Sequence, residues 1–222
     1  MNKSVRYVPA LGYDWLTGLY DPIVALATRE RTFKQRLLQR ADIREDHRVL
    51  DLACGTGTLA IWAKQGVPGA EVFGVDGDRR ILSMAQRKAQ TLGVEIVLDH
   101  GFSTELPYES SSFDRVLSSL FFHHLSREDK VRTAKEVYRV LKPGGEFHIA
   151  DWGRPQNGVM RTLFYSIQLL DGFANTRDNA QGLLPQLVAE GGFEVVEEAD
   201  EISTPVGTMT LYGARKTASS RP

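Results

Sequence analysis

A single cysteine, Cys54, is all the thiol chemistry that 222 residues offer. One thiol excludes an internal disulfide, cannot make a zinc site by itself, and fits a reducing compartment, so the cytoplasm is the expected location. Long apolar runs are missing as well. No stretch approaches the length of a membrane span, and the opening MNKSVRYVPALGYDW has no continuous apolar segment of the signal-peptide kind. Neither sign of charge is in surplus: 27 Lys and Arg stand against 28 Asp and Glu, for a formal net charge of −1. That balance gives no electrostatic footing to a nucleic-acid backbone or an anionic membrane as partner. Repeats of fixed period and low-complexity tracts are absent too, apart from a polar tail at 217–222. What is present is a 42% hydrophobic chain of a length that suits one domain with a substantial core.

Periodicity supplies the organisation. Asp21-Pro22 reads as a helix cap followed by proline at the first helical position, and Ile23, Leu26, Phe33, Leu37 and Leu38 then recur at helical spacing. From there strand and helix take turns. Strands are expected at 48–53, 71–75, 95–98, 114–119 and 146–150, with helices at 58–64, 79–92 and 128–141 and a Lys142-Pro143-Gly144-Gly145 turn before the fifth strand. Such alternation implies right-handed crossovers and a mostly parallel sheet. A helix at 183–190 and strands at 193–198 and 209–215, joined through a short Pro/Gly connection, make the last strand antiparallel. The fold class expected is α/β, a doubly wound, Rossmann-like sheet. One stretch interrupts the alternation, 157–181, where Met160, Leu163, Phe164, Ile167, Leu170 and Phe173 form an apolar stripe. It is either a helix covering the sheet or an insertion covering a substrate.

The chemistry is concentrated in Val49-Leu50-Asp51-Leu52-Ala53-Cys54-Gly55-Thr56-Gly57-Thr58-Leu59-Ala60. An apolar strand runs into a glycine-rich turn that opens a helix, so backbone at Gly55 and Gly57 can approach a ligand with no Cβ in the way. Gly55-x-Gly57-x-x-Ala60 alone also fits a dinucleotide fingerprint. Asp51 argues against one. Pyrophosphate at a helix N-terminus would be repelled by a neighbouring carboxylate, whereas a ligand with an ammonium group and no phosphate, such as S-adenosylmethionine, would be attracted. The second strand ends at Asp76, 19 residues beyond Gly57, where an acid accepts both hydroxyls of a ribose. Asp78 precedes Arg79 and Ile81 in the position of a helix cap.

Together with Gly74-Val75-Asp76, Leu106-Pro107, Ser112-Phe113-Asp114-Arg115-Val116, His123-His124-Leu125 and Leu141-Lys142-Pro143-Gly144-Gly145, this segment resembles the class I S-adenosylmethionine-dependent methyltransferases. Within them it is similar to the group that includes the ubiquinone and menaquinone biosynthesis methyltransferases. The likeness runs from about residue 45 to 152. It implies a seven-stranded sheet and S-adenosylmethionine as cofactor, with S-adenosylhomocysteine as product. It also implies Gly55 and Gly57 along the methionine moiety, Asp51 toward its amino group, Asp76 on the ribose, and Ala53, Gly77, Leu120 and Tyr20 lining the cofactor. The implied organisation is a lid segment over 1–44, a cofactor-binding core over 45–152, an insertion over 153–182 and a closing helix and strand pair over 183–216. Two positions depart from the family. Ala53 stands where the first glycine is usual, a change expected to matter little. Phe102 stands where an acid commonly meets the adenine amino group; it is expected either to pack on the adenine, with Ser103 supplying polar contact, or to be plain core. Asp99 is a poor substitute at the end of its strand.

The acceptor is expected outside the carboxyl ends of the fourth and fifth strands, near Leu120-Phe121-Phe122-His123-His124 and Asp151-Trp152-Gly153-Arg154. His123 packs beside the cofactor or orients the acceptor in this reading, His124 bonds nearby backbone, and Asp151 and Arg154 either bind a polar acceptor group or form a loop ion pair. Tyr13, Tyr20 and Asp21 resemble the element that folds over the site in related enzymes. No metal is expected, because the His pair has no third convergent ligand. Methyl transfer from a sulfonium requires alignment and exclusion of water more than covalent help, and no acid is readable beside either histidine, so positioning is expected to dominate. Should a base be needed, His123 is the first candidate. The acceptor class expected is small or lipid-like. The competing readings are a nicotinamide-dependent oxidoreductase and a binding protein that keeps the fold without turnover. A nucleic-acid methyltransferase is disfavoured, since there is no basic surplus and no Asn/Asp-Pro-Pro-aromatic motif.

Overall fold

A computed structural model describes residues 28–156 and 158–217. The expected leading helix is seen as α1 (Glu30–Ala41), whose Phe33, Leu37 and Ala41 are buried; Asp21, Pro22, Ile23 and Leu26 lie outside the described residues. The alternation follows as β1 (Arg48–Leu52), α2 (Thr58–Gly66), β2 (Glu71–Asp76), α3 (Arg79–Leu92), β3 (Val97–His100), β4 (Phe113–Ser119), α4 (Arg127–Val140) and β5 (Leu141–Trp152). Then come α5 (Gly158–Asp171), α6 (Phe173–Ala180), α7 (Leu184–Ala189), β6 (Val195–Thr204) and β7 (Gly207–Arg215). Local chemistry fixes the helix ends. Asp78 caps α3 by accepting from the Arg80 N–H at 2.8 Å, and Ser126 caps α4 by accepting from Asp129 N–H at 3.1 Å.

The seven strands form one sheet in the order β3-β2-β1-β4-β5-β7-β6. The first five are parallel, and β7 runs antiparallel to both β5 and β6. β1 is apolar on both faces because both are covered. Val49 belongs to a core with Phe33 and Leu37 of α1, Leu59 and Ala63 of α2, and Trp152; Leu50 and Leu52 belong to the opposite core, with Val137 and Val140 of α4 and Leu184 and Val188 of α7. The chain order reverses between β1 and β4, and the crevice outside their carboxyl ends is where ligands of this topology lie.

Three boundaries differ from expectation. β3 starts two residues late, at Val97. β5 begins before the glycine turn, which is absorbed as a register shift: Phe113 pairs with Leu141 but Arg115 with Glu146. The closing strands are longer than their apolar cores, since the Thr204–Gly207 connection is tight enough for pairing to continue to both ends.

The described part of the 157–181 stretch is the helix pair α5 and α6. Its apolar stripe divides. Phe164 is buried, with its ring 5.8 Å from that of Trp152 and beside Gly207, whereas Phe173 is 53% exposed and stands 6.4 Å from the exposed Tyr165 ring. The side chains of Leu163, Ile167 and Leu170 lie outside the described set. Phe164 therefore pins α5 to the sheet. Replacing it by Ala should cost about 3–5 kcal/mol, lowering the melting temperature by roughly 2–4 °C per kcal/mol for a chain of this size. Calorimetric unfolding checks this, and an unchanged transition would mean that α5 is not held through this ring.

Candidate active site

The glycine turn after β1 is built by left-handed backbone. Gly55 has φ 54° and Gly57 φ 76°. A Cβ on Gly57 would come within 3.1 Å of Ala85 Cβ in α3, while one on Gly55 would meet nothing within 4 Å. Gly57 is thus favoured by its left-handed backbone and by a tight approach to α3, and Gly55 faces open space. Ala53 shares the left-handed conformation, at φ 55°. The substitution of the usual glycine, expected to matter little, therefore carries a backbone cost of about 1–2 kcal/mol. Leu120, at the end of β4, is held the same way at φ 54° by its amide bond to Ala150 O at 2.9 Å. A bulky residue with positive φ persists only where its surroundings over-determine it, and such positions gather at functional sites.

Two carboxylates flank this turn. Asp76 Oδ2 accepts from Gly55 N–H at 3.0 Å and Oδ1 from Asp78 N–H at 2.9 Å. It ties the glycine turn to the end of β2, and the Gly77 amide also acts on it, which leaves the carboxylate short of its full set of donors. Burial holds its carboxyl above the usual range, against these amide bonds. Asp51 is 1% exposed and its Oδ2 accepts from Ala60 N–H, in the first turn of α2, at 3.0 Å. Burial pushes its carboxyl up to about 7, with the nearby Lys34 ammonium acting in the other direction.

Beyond β3, Phe102 is 41% exposed and leans on Gly77, whose added Cβ would meet its ring at 3.1 Å. It is not core, and its ring stands beside the Asp76 turn. The Ser103 hydroxyl is hydrogen-bonded to Thr133 of α4 at 2.8 Å. Asp99 accepts from the Tyr108 hydroxyl at 3.1 Å, so it is spoken for by its own side of the sheet.

On the other side of the crevice, His123 Nδ1 lies 2.7 Å from Asp151 Oδ1, and both side chains are buried. Asp151 also accepts from the N–H groups of Phe121 (3.0 Å), Phe122 (2.7 Å) and Trp152 (2.7 Å) and from Asn179 Nδ2 (3.3 Å). Despite complete burial its carboxyl is held below the usual range by His123 and these donors. An ionised Asp151 makes His123 Nδ1 the protonated nitrogen, so any further partner of the ring is met through Nε2. Asp151 was expected either to bind a polar acceptor group or to form a loop ion pair. With no exposed surface and five donors around it, the carboxylate instead holds His123 and the 121–124 turn. His124 stacks on His123 with ring centroids 4.0 Å apart, and burial lowers it to about 3, so it is neutral. Its carbonyl accepts from Asn175 Nδ2 at 2.9 Å. Arg154 is exposed, beside Gly182. Tyr13, Tyr20 and Asp21 lie outside the described residues. Among the described residues no group of three His, Cys, Asp or Glu side chains could hold a metal ion.

The comparisons with known proteins bear directly on this crevice. A family model described as a methyltransferase domain matches residues 49–145. A demethylmenaquinone methyltransferase of Thermus thermophilus is 33% identical over 161 residues, which cover 70% of this chain and 72% of the relative. The chain belongs to the class I S-adenosylmethionine-dependent methyltransferases. Solved methyltransferases agree in fold. The S-adenosylmethionine-dependent methyltransferase of Thermotoga maritima superposes with a TM-score of 0.71 at 18% identity, covering 91% of this chain and 97% of that one. A Haemonchus contortus phosphoethanolamine N-methyltransferase, solved with phosphomonomethylethanolamine and S-adenosylhomocysteine, gives 0.68 at 18% identity, with 84% and 53% covered. For this methyltransferase the cofactor is S-adenosylmethionine, and a nicotinamide-dependent oxidoreductase is set aside. No helix among the described residues is long and apolar enough to cross a membrane.

The state of Asp51 gives this methyltransferase a pH signature. Its carboxyl is raised in the folded chain to about 7 from an unfolded value of 3.8. A raised carboxyl contributes stability that is present below the unfolded value and is lost as pH climbs through the folded one. Without ligand, thermal stability should therefore decline between about pH 4 and 7 on account of Asp51, and Asp51→Asn should flatten that part of the profile. A variant with the same slope as the parent would show that Asp51 is ionised throughout.

Proposed function

We propose that this methyltransferase methylates a small, quinone-like or phenolic acceptor whose proton is taken by His123. The observation that carries the reading is the buried Asp151–His123 pair at 2.7 Å, set beside strained Leu120 at the carboxyl ends of β4 and β5. A general base needs an oriented imidazole whose positive form is stabilised, and Asp151 supplies both requirements at Nδ1. The acceptor class is supported by the demethylmenaquinone methyltransferase relative and by the aromatic surroundings, with Trp152 6.4 Å edge-on to His123 and Phe121 in the same turn.

The residues around the glycine turn fit the cofactor. Open space above Gly55 admits it, Asp76 accepts from its ribose hydroxyls, Phe102 packs against its adenine beside Gly77, and Asp51 receives its ammonium, which would return that carboxyl to its charged state. Bound S-adenosylmethionine supplies a methyl group on a sulfonium whose leaving thioether is neutral. The protein's own share is alignment, exclusion of water and proton removal. Asp151 fixes the imidazole, Leu120 shapes the wall between donor and acceptor, and Nε2 of His123 accepts the acceptor's hydroxyl proton.

With a reduced 1,4-naphthoquinone as acceptor, His123→Gln should slow single-turnover methyl transfer by roughly 10²–10⁴-fold and remove the acidic limb of the pH–rate profile. Affinity for S-adenosylhomocysteine should stay unchanged. A loss of only about tenfold with the limb intact would return His123 to a positioning role, the expectation from sequence.

A further inference from the structure

Lys34 is a charged residue placed where the packing of α1 has no need of one. It shares the buried stripe of α1 with Phe33, Leu37 and Ala41, and is itself 8% exposed. Its ammonium pairs with Glu30 one turn earlier. A lysine ammonium has three N–H donors, and among the described residues Glu30 is its one hydrogen-bonding partner.

The direction of α1 locates this group. The carbonyl of Ala41, at its last residue, accepts from Arg115 Nε at 2.6 Å near the start of β4. At the other end, Arg29 Nη1 donates to Ser203 O at 3.2 Å; Ser203 pairs with Thr208, whose carbonyl accepts from Gly153 just beyond β5. α1 therefore runs against the parallel strands, and its first half lies over their carboxyl ends. It covers the sheet face that carries Val49, and Asp51, two residues on, points to the same face. The Lys34 ammonium accordingly draws both the Asp51 carboxyl and the Cys54 thiol of the glycine turn toward ionisation.

We propose that Lys34 holds the carboxylate of the cofactor's methionine moiety while Asp51 receives its ammonium. A buried cation set one helix away from a buried carboxyl that a ligand ammonium would ionise is the complement of a zwitterionic amino acid, and it explains why α1 keeps a lysine on its apolar stripe. The inference rests on the assignment of this crevice to S-adenosylmethionine.

Calorimetry with two ligands tests it without any acceptor. S-adenosylhomocysteine carries the amino-acid end, and 5′-methylthioadenosine lacks it. Lys34→Met should weaken S-adenosylhomocysteine binding by roughly ten- to a hundredfold, the loss of one charge-assisted contact, and leave 5′-methylthioadenosine binding unchanged. Lys34→Arg, which retains the charge, should stay within about threefold of the parent for S-adenosylhomocysteine. Equal losses for both ligands, equal losses in both variants, or no loss in Lys34→Met would overturn the assignment. A parent protein that binds 5′-methylthioadenosine but gains nothing from the amino-acid end would overturn it too. A parent that binds neither would overturn the cofactor assignment of the crevice itself.

Discussion

Two aspartates buried in the same sheet, solvated oppositely by the protein, organise this enzyme. Moving a carboxylate out of water is unfavourable by several kcal/mol unless donors replace the lost solvent. Asp151 has five such donors, from its own strand, from the 121–124 turn and from α6, and remains ionised. Asp51 has a single amide bond from α2 and is driven up to about 7. The first carboxylate is complete and acts as scaffold. The second is incomplete, and a ligand cation would complete it.

That asymmetry assigns the two halves of the crevice. Asp51 and Asp76 flank the glycine turn, which is open at Gly55, and the proposed reading gives these groups, with Lys34, to the cofactor. Across the crevice His123 is held by Asp151, the 121–124 turn by Asn175, and the end of β5 by Asn179, which donates to Asp151 and to the Trp152 carbonyl. Two of the left-handed non-glycine backbones, Ala53 and Leu120, follow β1 and β4 on either side of the point where the strand order reverses. Such strain costs stability locally and is sustained by a sheet buried on both faces.

Much of this was legible in the sequence because it is local. The strand, the glycine turn and its helix occupy a dozen consecutive residues. The capping role of Asp78 follows from its immediate neighbours, and the alternation of elements implied the parallel sheet. What was not legible is what the fold brings together from afar. His123 and Asp151 are 28 positions apart, so no acid was visible beside the histidine and positioning was favoured over base catalysis. For Asp151 an acceptor contact and a loop ion pair stayed open, because a strand-end acid and a buried anchor look alike in sequence. Nothing local distinguishes Lys34 from any other helix lysine, since only the direction of α1 over the sheet sets which strand ends its first half covers. Ala53 looked innocuous because its φ, and not its chemistry, makes it costly. The diversion of Ser103 to Thr133 similarly depends on how α4 lies against the loop.

The central claim is that the crevice holds an uncompleted carboxylate, Asp51, that is finished by the ammonium of the cofactor. Calorimetry of S-adenosylhomocysteine binding near pH 6.5, repeated in buffers of different ionisation enthalpy, measures the protons exchanged on binding. The account predicts proton release by the parent protein, as a largely neutral Asp51 becomes charged beside the ligand, and its disappearance in Asp51→Asn. Binding with no exchange of protons, or with release that persists in Asp51→Asn, would contradict it.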